Sequence, residues 1–256
     1  MRDLVDFQAV QQELQLGPNG ALMYCMEHLA THASWLGERL APHLASGAYL
    51  ILDVPGQVEL LTAHDALQRL LAVAEKQWHL RLAAVHLVDS HLCADASKFL
   101  AALLLSLDAQ LHLGLPHVNV LSKVDLVESL GPLPFALDFY TRGGDGPALA
   151  AALGQEPRLR RFAKLTRSLC EVVEDYGLVG FETLDVQDEA SMRHLVGVVD
   201  KANGWVFAGL AAAAAARGEA AYSPAAYSAA VSSTNWPSER LMDVTEKHMP
   251  LREQME

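Results

Sequence analysis

Apolar positions along the chain fall into two patterns. Four short runs are almost unbroken: AYLILDV (48–54), LAAVHLVD (82–89), HVNVLSK (117–123) and, less cleanly, LVGFETLDV (178–186). Unbroken rather than alternating apolar residues are what a strand needs when both its faces are covered, so these runs predict a buried parallel sheet. Other apolar residues recur at steps of three and four. Leu22, Met26, Leu29, Ala33, Leu36 and Leu40 form one such series, and Leu60, Leu67, Leu71 and Ala74 a second. Leu159, Phe162, Leu165, Leu169, Val172 and Tyr176 form a third, and Leu195, Val199 and Ala202 a fourth. That spacing puts them on one face of a helix. Strands alternating with helices at this spacing predict an α/β fold, a parallel sheet flanked by helices.

Breaker residues divide the chain further. Residues 131–157 are rich in Gly and Pro and predict an insertion or lid between the third strand and its helix. Asn203-Gly204 stops the last helix. Beyond residue 208 the chain is rich in Ala and Ser with no sustained apolar period, so 1–207 is expected to be the folded domain and 208–256 a weakly ordered tail. No internal repeat stands out. Near the start, LGPNGAL (16–22) separates two helical stretches. As a plain helix-stop turn it needs no further role: Gly17 supplies φ freedom, Pro18 presets φ, and Asn19-Gly20 tolerates left-handed backbone.

Composition narrows the function classes. Hydrophobic residues make up 51% of the chain, ample for a core, and the net charge is −12. That charge argues against a broad nucleic-acid or anionic-membrane surface, though not against a local pocket for a phosphate. Cys25, Cys93 and Cys170 are far apart and form no CxxC, the usage of a reduced, intracellular chain. MRDLVDFQAV lacks the apolar run of a signal peptide, and FLAALLLSL and VFAGLAAAAAA are too short to span a bilayer. The expectation is a soluble cytosolic protein.

Two strand ends carry candidate chemistry. The first run leads into DVPGQVEL (53–60). An aspartate at the carboxyl end of a buried strand, followed by Pro-Gly, stands where open α/β sheets bind ligands. In P-loop GTPases an aspartate so placed holds Mg²⁺, usually through water. The glycine amide there meets the γ-phosphate, and the next glutamine handles the attacking water. Asp53, Gly56 and Gln57 are the candidates; an Asp-Pro-Gly turn leaving a strand would look the same. The third run ends in LSKVDL (121–126), which matches the N/T-K-x-D element of GTPases with Ser122 in the first place. Its Asp125 would accept two N–H bonds from guanine, a donor pair that adenine lacks, while Lys123 would pack over the base. Ser122, Lys123, Val124 and Asp125 form this candidate base site.

Other chemistry finds less support. Among eleven histidines there is no HExxH, and His86/His91 and His112/His117 do not share a helix face. VDSH (88–91) suggests a hydrolytic dyad, but no G-x-S-x-G elbow accompanies it.

Taken in order, LGPNGALMYCMEHL, DVPGQVEL, LRLAAVHLVDSH, LPHVNVLSKVDL and VDKANGW resemble the GPN-loop GTPases from residue 2 to about 207. The resemblance implies a P-loop NTPase-type three-layer fold that binds and hydrolyses GTP with Mg²⁺. It implies a homodimer, or a heterodimer with another GPN-loop GTPase. Gly17, Pro18 and Asn19 would be the loop that names the family, with Asn19 reaching into the partner's site. It further implies a role in assembly and nuclear import of RNA polymerase II and III, by a protein that is cytoplasmic and shuttles to the nucleus.

One expected element is missing. Lys76, Lys98, Lys123, Lys164, Lys201 and Lys247 follow Glu, Ser, Ser, Ala, Asp and Glu, so no lysine stands in a G-x-x-x-x-G-K-S/T phosphate loop. Family members carry that loop on a strand and helix upstream of the GPN loop. Without this N-terminal strand and helix the sheet should have unpaired edges and a gap. Two readings remain: part of a longer GTPase, or a catalytically dead partner that acts only in dimerisation or assembly.

Overall fold

The computed structural model describes residues 3–205, so the tail expected at 208–256 lies outside the described residues. The chain forms two compact units, Met1–Leu82 with Leu111–Gly114, and Ala83–Gln110 with the residues from Leu115 on.

The first unit is helical: α1 (Phe7–Glu13), α2 (Pro18–Thr31), α3 (Ala33–Ala45), α4 (Val58–Thr62) and α5 (Ala66–Lys76). Asp6 caps α1 by accepting the amide of Gln8 at 2.9 Å. The long series Leu22–Leu40, expected as one helix, is two. The backbone leaves the helical region at His32 (φ −107°, ψ 39°), and α3 restarts at the next residue. Met26, Leu29, Ala33, Leu60, Leu67 and Leu70 meet in this unit's core.

The predicted strand at 48–54 does not form. Residues 48–57 have no regular structure, and Ile51 is 87% exposed. A strand exists only through the ladder of its neighbour, and among the described residues no strand pairs with this segment. Its apolar run therefore lacks the two covering layers that such a composition suits.

The second unit holds a three-stranded parallel sheet in the order β1 (Ala84–Asp89), β2 (His117–Ser122), β3 (Phe181–Leu184). Ala84 lies opposite His117 and Asp89 opposite Ser122. Ser122 in turn lies opposite Leu184. Three of the four predicted strands thus form, with the central strand the most buried, as an unbroken apolar run requires. On one face α6 (Ala96–Leu113) packs Phe99, Leu103 and Leu107 on Val88, Leu121 and Phe181. On the other, Leu195 of α10 (Glu189–Ala202) meets Val118, Val120 and Leu184. The result is the α/β architecture expected, consistent with a P-loop NTPase fold.

Residues 131–157 are not a loose lid. They hold α7 (Leu137–Thr141) and α8 (Gly146–Gln155), which lead to α9 (Ala163–Tyr176). Tyr140 is fully buried and its hydroxyl donates to the Cys93 carbonyl at 3.0 Å while accepting the Phe135 amide at 3.2 Å. Side chains hidden among Gly and Pro residues, Leu137 and Tyr140 above all, convert the insertion into core. The three cysteines are free and buried, and burial pushes the Cys93 thiol up to about 12, so it is chemically quiet.

At the start of β2, burial lowers the His117 imidazole to about 4, helped by the neighbouring His86. Burial lowers His86 as well, and both of His117's ring nitrogens lack a partner. A histidine depressed in the folded state binds its proton more readily in the unfolded chain. Stability is therefore full above the unfolded value near 6.5 and falls as pH drops from there towards about 4. Urea unfolding at pH 7.5 and pH 5 should show a loss of about 2 kcal/mol from His117, with His86 acting in the same direction. His117→Gln should flatten the dependence.

Candidate functional site

The base-recognition candidates come together at the carboxyl end of the sheet in the second unit. Ser122 ends β2, and its hydroxyl donates to the Val88 carbonyl at 3.3 Å, tying β2 to β1. Lys123 then takes the left-handed conformation (φ 61°, ψ 36°), which turns the chain sharply off the strand into a 3₁₀ turn, Val124–Leu130. Such a backbone costs a non-glycine residue energy and persists only where its surroundings hold it. Here they do. Ser90 donates to the Lys123 carbonyl at 2.9 Å, and Lys123's ammonium pairs with the Asp89 carboxylate. Val124 is buried in the core and anchors the turn, while Asp125 projects exposed from its first residues.

Asp89 was missed by sequence reasoning, which weighed VDSH only as a hydrolytic dyad. Its carboxylate accepts the His91 amide at 3.1 Å and faces the His91 ring nitrogen at 3.0 Å. Burial alone would raise its pKa, but Lys123 and His91 outweigh that and hold it at about 2. The carboxylate is ionised at every ordinary pH and acts as a brace for Lys123. The signal was available: an aspartate ends the run beside the one that ends in Ser122. If the turn after β2 holds a guanine base, Asp89→Ala in a chain extended with a Walker A segment should lower GDP affinity about tenfold by freeing the turn, with stability changed by no more than about 1 kcal/mol, as a half-exposed pair allows. Titration calorimetry and urea unfolding check the two halves.

The other candidates belong to the first unit. Gly17 (φ −65°, ψ 168°) is the N-cap of α2 without a side-chain bond, Pro18 fills its first position, and Asn19 lies in its first turn. All three are exposed. The expected left-handed turn at Asn19-Gly20 is not used; the positive φ falls on Gln15 (52°) instead. Pro18 explains this, since its fixed φ is already helical and its missing amide costs nothing at a helix start. The GPN triplet is therefore the exposed N-terminal end of α2. Asp53 and Gly56 are exposed on the irregular segment, and Gln57 is the N-cap of α4. The Gln57 side-chain oxygen is buried with no hydrogen-bond partner, an acceptor suited to a bound water.

For a metal, Asp53 offers one exposed carboxylate with no ion pair among the described residues. One protein carboxylate beside phosphate oxygens is a common donor set for Mg²⁺, so the residue fits. Glu27, His64 and Asp65 also lie within ligand distance of one another. Arg69 already bridges both of those carboxylates, at 2.5 Å and 3.4 Å, which makes the group an ion-pair network. A cleft of about 450 Å³ between α8 and α9 is lined by none of the candidates.

Comparison with known proteins identifies this combination of elements. A family model described as "Conserved hypothetical ATP binding protein" matches residues 1–205. The chain is 46% identical to GPN-loop GTPase QQT1 of Arabidopsis thaliana over 249 residues, covering 97% of this chain and 80% of that protein. The chain belongs to the GPN-loop GTPase family. It is also 49% identical to GPN-loop GTPase 2 of Xenopus tropicalis over 207 residues, 81% of this chain and 67% of the relative. The similarity to GPN-loop GTPase 2 of Saccharomyces cerevisiae is 40% over 211 residues, 81% of this chain and 61% of the relative. In this GPN-loop GTPase the Gly17-Pro18-Asn19 triplet is thus the start of α2, and the Ser122–Asp125 stretch is the braced turn after β2.

Proposed function

We propose that the protein is a guanine-nucleotide-binding GTPase acting as a dimer, with the base held by Lys123 and Asp125. The observation that carries this reading is the turn after β2. There Lys123 is pinned by Asp89 and Ser90, and Asp125 keeps an exposed carboxylate at the strand end. A carboxylate accepts guanine's two neighbouring N–H groups, whereas adenine presents no such pair. This favours GTP over the ATP named in the family description.

Asp53 would hold Mg²⁺, which when bound neutralises charge developing on the phosphates. Gly56 would offer its amide to the γ-phosphate. Gln57 would position a water with its unpaired oxygen. Asn19, exposed at the tip of α2, would serve the site of the other subunit. A role in RNA polymerase II and III assembly follows from family resemblance alone.

No G-x-x-x-x-G-K-S/T motif occurs in the sequence, so the chain by itself should not turn over GTP. Without a lysine and an amide nest for the β-phosphate, affinity for GDP should be weaker than millimolar. Calorimetry that finds micromolar GDP binding, or steady phosphate release from GTP, contradicts this and points to a phosphate cradle built from other residues. Adding a strand–loop–helix with a Walker A motif to the N-terminus should restore GDP binding with strong preference over ADP.

A further inference from the structure

The sheet face that α6 covers changes character along its length. Towards the carboxyl ends of the strands it is apolar, with Val88, Leu121 and Phe181 packed under Phe99, Leu103 and Leu107. Towards the amino ends it is polar. Side chains two residues apart on a strand share a face, so His86 stands with Val88, and His117 and Asn119 stand with Leu121. The register sets Val88 opposite Leu121 and His86 opposite Asn119. Asn119, only 3% exposed, therefore neighbours both imidazoles, one across the ladder and one along its own strand. Its side chain is within reach of both rings.

These groups present lone pairs that nothing receives. His86 Nδ1, both ring nitrogens of His117 and Asn119 Oδ1 are buried with no hydrogen-bond partner among the described residues. Two more orphaned atoms, Ser106 Oγ and Gln110 Oε1, belong to α6. That helix runs back from the end of β1 to the start of β2, so its second half passes over the amino ends of the strands. Both amides leave their oxygen unsatisfied, and a neutral imidazole keeps one nitrogen as an acceptor. Burial holds both histidines in that neutral form at pH 7. Buried acceptors gathered without donors are costly when left empty and are matched by a cation.

The spacing suits an ion. With a zinc–nitrogen bond of about 2.0–2.1 Å, two imidazoles on one tetrahedral ion have ring centres about 5.2 Å apart. The rings of His86 and His117 stand 5.9 Å apart at 73°, so a small turn of one brings both onto a shared ion. Each histidine is only partly buried, which leaves a way in from the amino end of the sheet.

We propose that His86, His117 and Asn119 form a binding site for a divalent transition-metal ion of the zinc class, with water completing its shell. Imidazole nitrogens select such ions over Mg²⁺ and Ca²⁺, which take oxygen ligands. The site is thus distinct in chemistry from the Mg²⁺ proposed at Asp53. It joins β1 to β2 at the end opposite the Ser122–Asp125 turn, so it ties the ladder together and does not depend on nucleotide.

The test is equilibrium dialysis of the whole chain, stripped with a chelator, against Zn²⁺ at pH 7.5 without nucleotide. One ion should bind at micromolar concentrations and raise the melting temperature. His86→Gln and His117→Gln should each weaken binding by at least about tenfold, as loss of a ligand does. His64→Gln, which alters the Glu27–His64–Asp65 group, should leave it unchanged. Asn119→Asp supplies a charged ligand. It should lower the stability of the metal-free chain, raise Zn²⁺ affinity about tenfold and regain its melting temperature on adding Zn²⁺. Circular dichroism of the metal-free variants checks that each is folded. A native chain that binds no Zn²⁺ at micromolar concentrations overturns the proposal. So does binding that both histidine variants retain, or that His64→Gln alone abolishes, which would assign the ion to the Glu27 group. A folded Asn119→Asp chain with no gain in affinity overturns the three-ligand site.

Discussion

Asp125→Asn should convert base preference from guanine to xanthine in a chain extended with a Walker A segment. The aspartate accepts from both N–H groups of guanine; an asparagine there presents one acceptor and one donor. Xanthine matches that pair, with an N–H for the acceptor and a carbonyl for the amide. Leaving a guanine N–H facing an amide N–H should cost several kcal/mol, or about a thousandfold in affinity for GDP. Xanthosine diphosphate should gain by a similar factor. The turn itself should survive, because Asp125 is exposed and its neighbours Lys123 and Val124 are held by Asp89, Ser90 and the core. Competition binding of GDP, ADP and xanthosine diphosphate to both proteins decides it. An unchanged preference would remove Asp125 from the base site.

Gly143→Ala should be the most damaging single-methyl change in the described part of the chain. Gly143 has φ +83°, and a Cβ there would fall inside the van der Waals radius of the Val179 carbonyl oxygen. Both atoms belong to backbone that cannot swing aside, since Gly143 follows buried Tyr140 and Val179 is itself buried just before β3. Strain from the positive φ adds to the clash. A loss of about 4 kcal/mol is expected, against about 1 kcal/mol for Gly114→Ala, where φ is +63° but the space is open. Urea unfolding of the two variants gives the contrast. Similar losses in both would mean that the backbone gives way at Gly143.

These two sites differ in how far they could be read from the chain. SKVD at the end of a buried run was legible, because residue type, spacing and strand position all speak for it. Its support was not. Asp89 and Ser90 lie more than thirty residues from Lys123 and meet it only because β1 and β2 pair in the register that sets Asp89 opposite Ser122. Gly143 was seen only as one of several glycines in an insertion, with nothing to mark its approach to Val179.

The sequence by itself determined the family, the α/β class, three of the strands and the helices of the four apolar series, while α6, α7 and α8 went unread. These follow from local properties: apolar period, breaker residues and short motifs at strand ends. Tertiary structure decided which apolar runs are used as their composition suggests. AYLILDV has all the character of a buried strand but finds no ladder, so it stays irregular and exposed. The insertion at 131–157 looks like a loop and instead sends Leu137 and Tyr140 into the core. On α9 the helical period is correct, yet the fold covers only the Cys170 and Val173 side. Period tells which residues share a face; only the neighbours that arrive there decide whether that face meets protein or water.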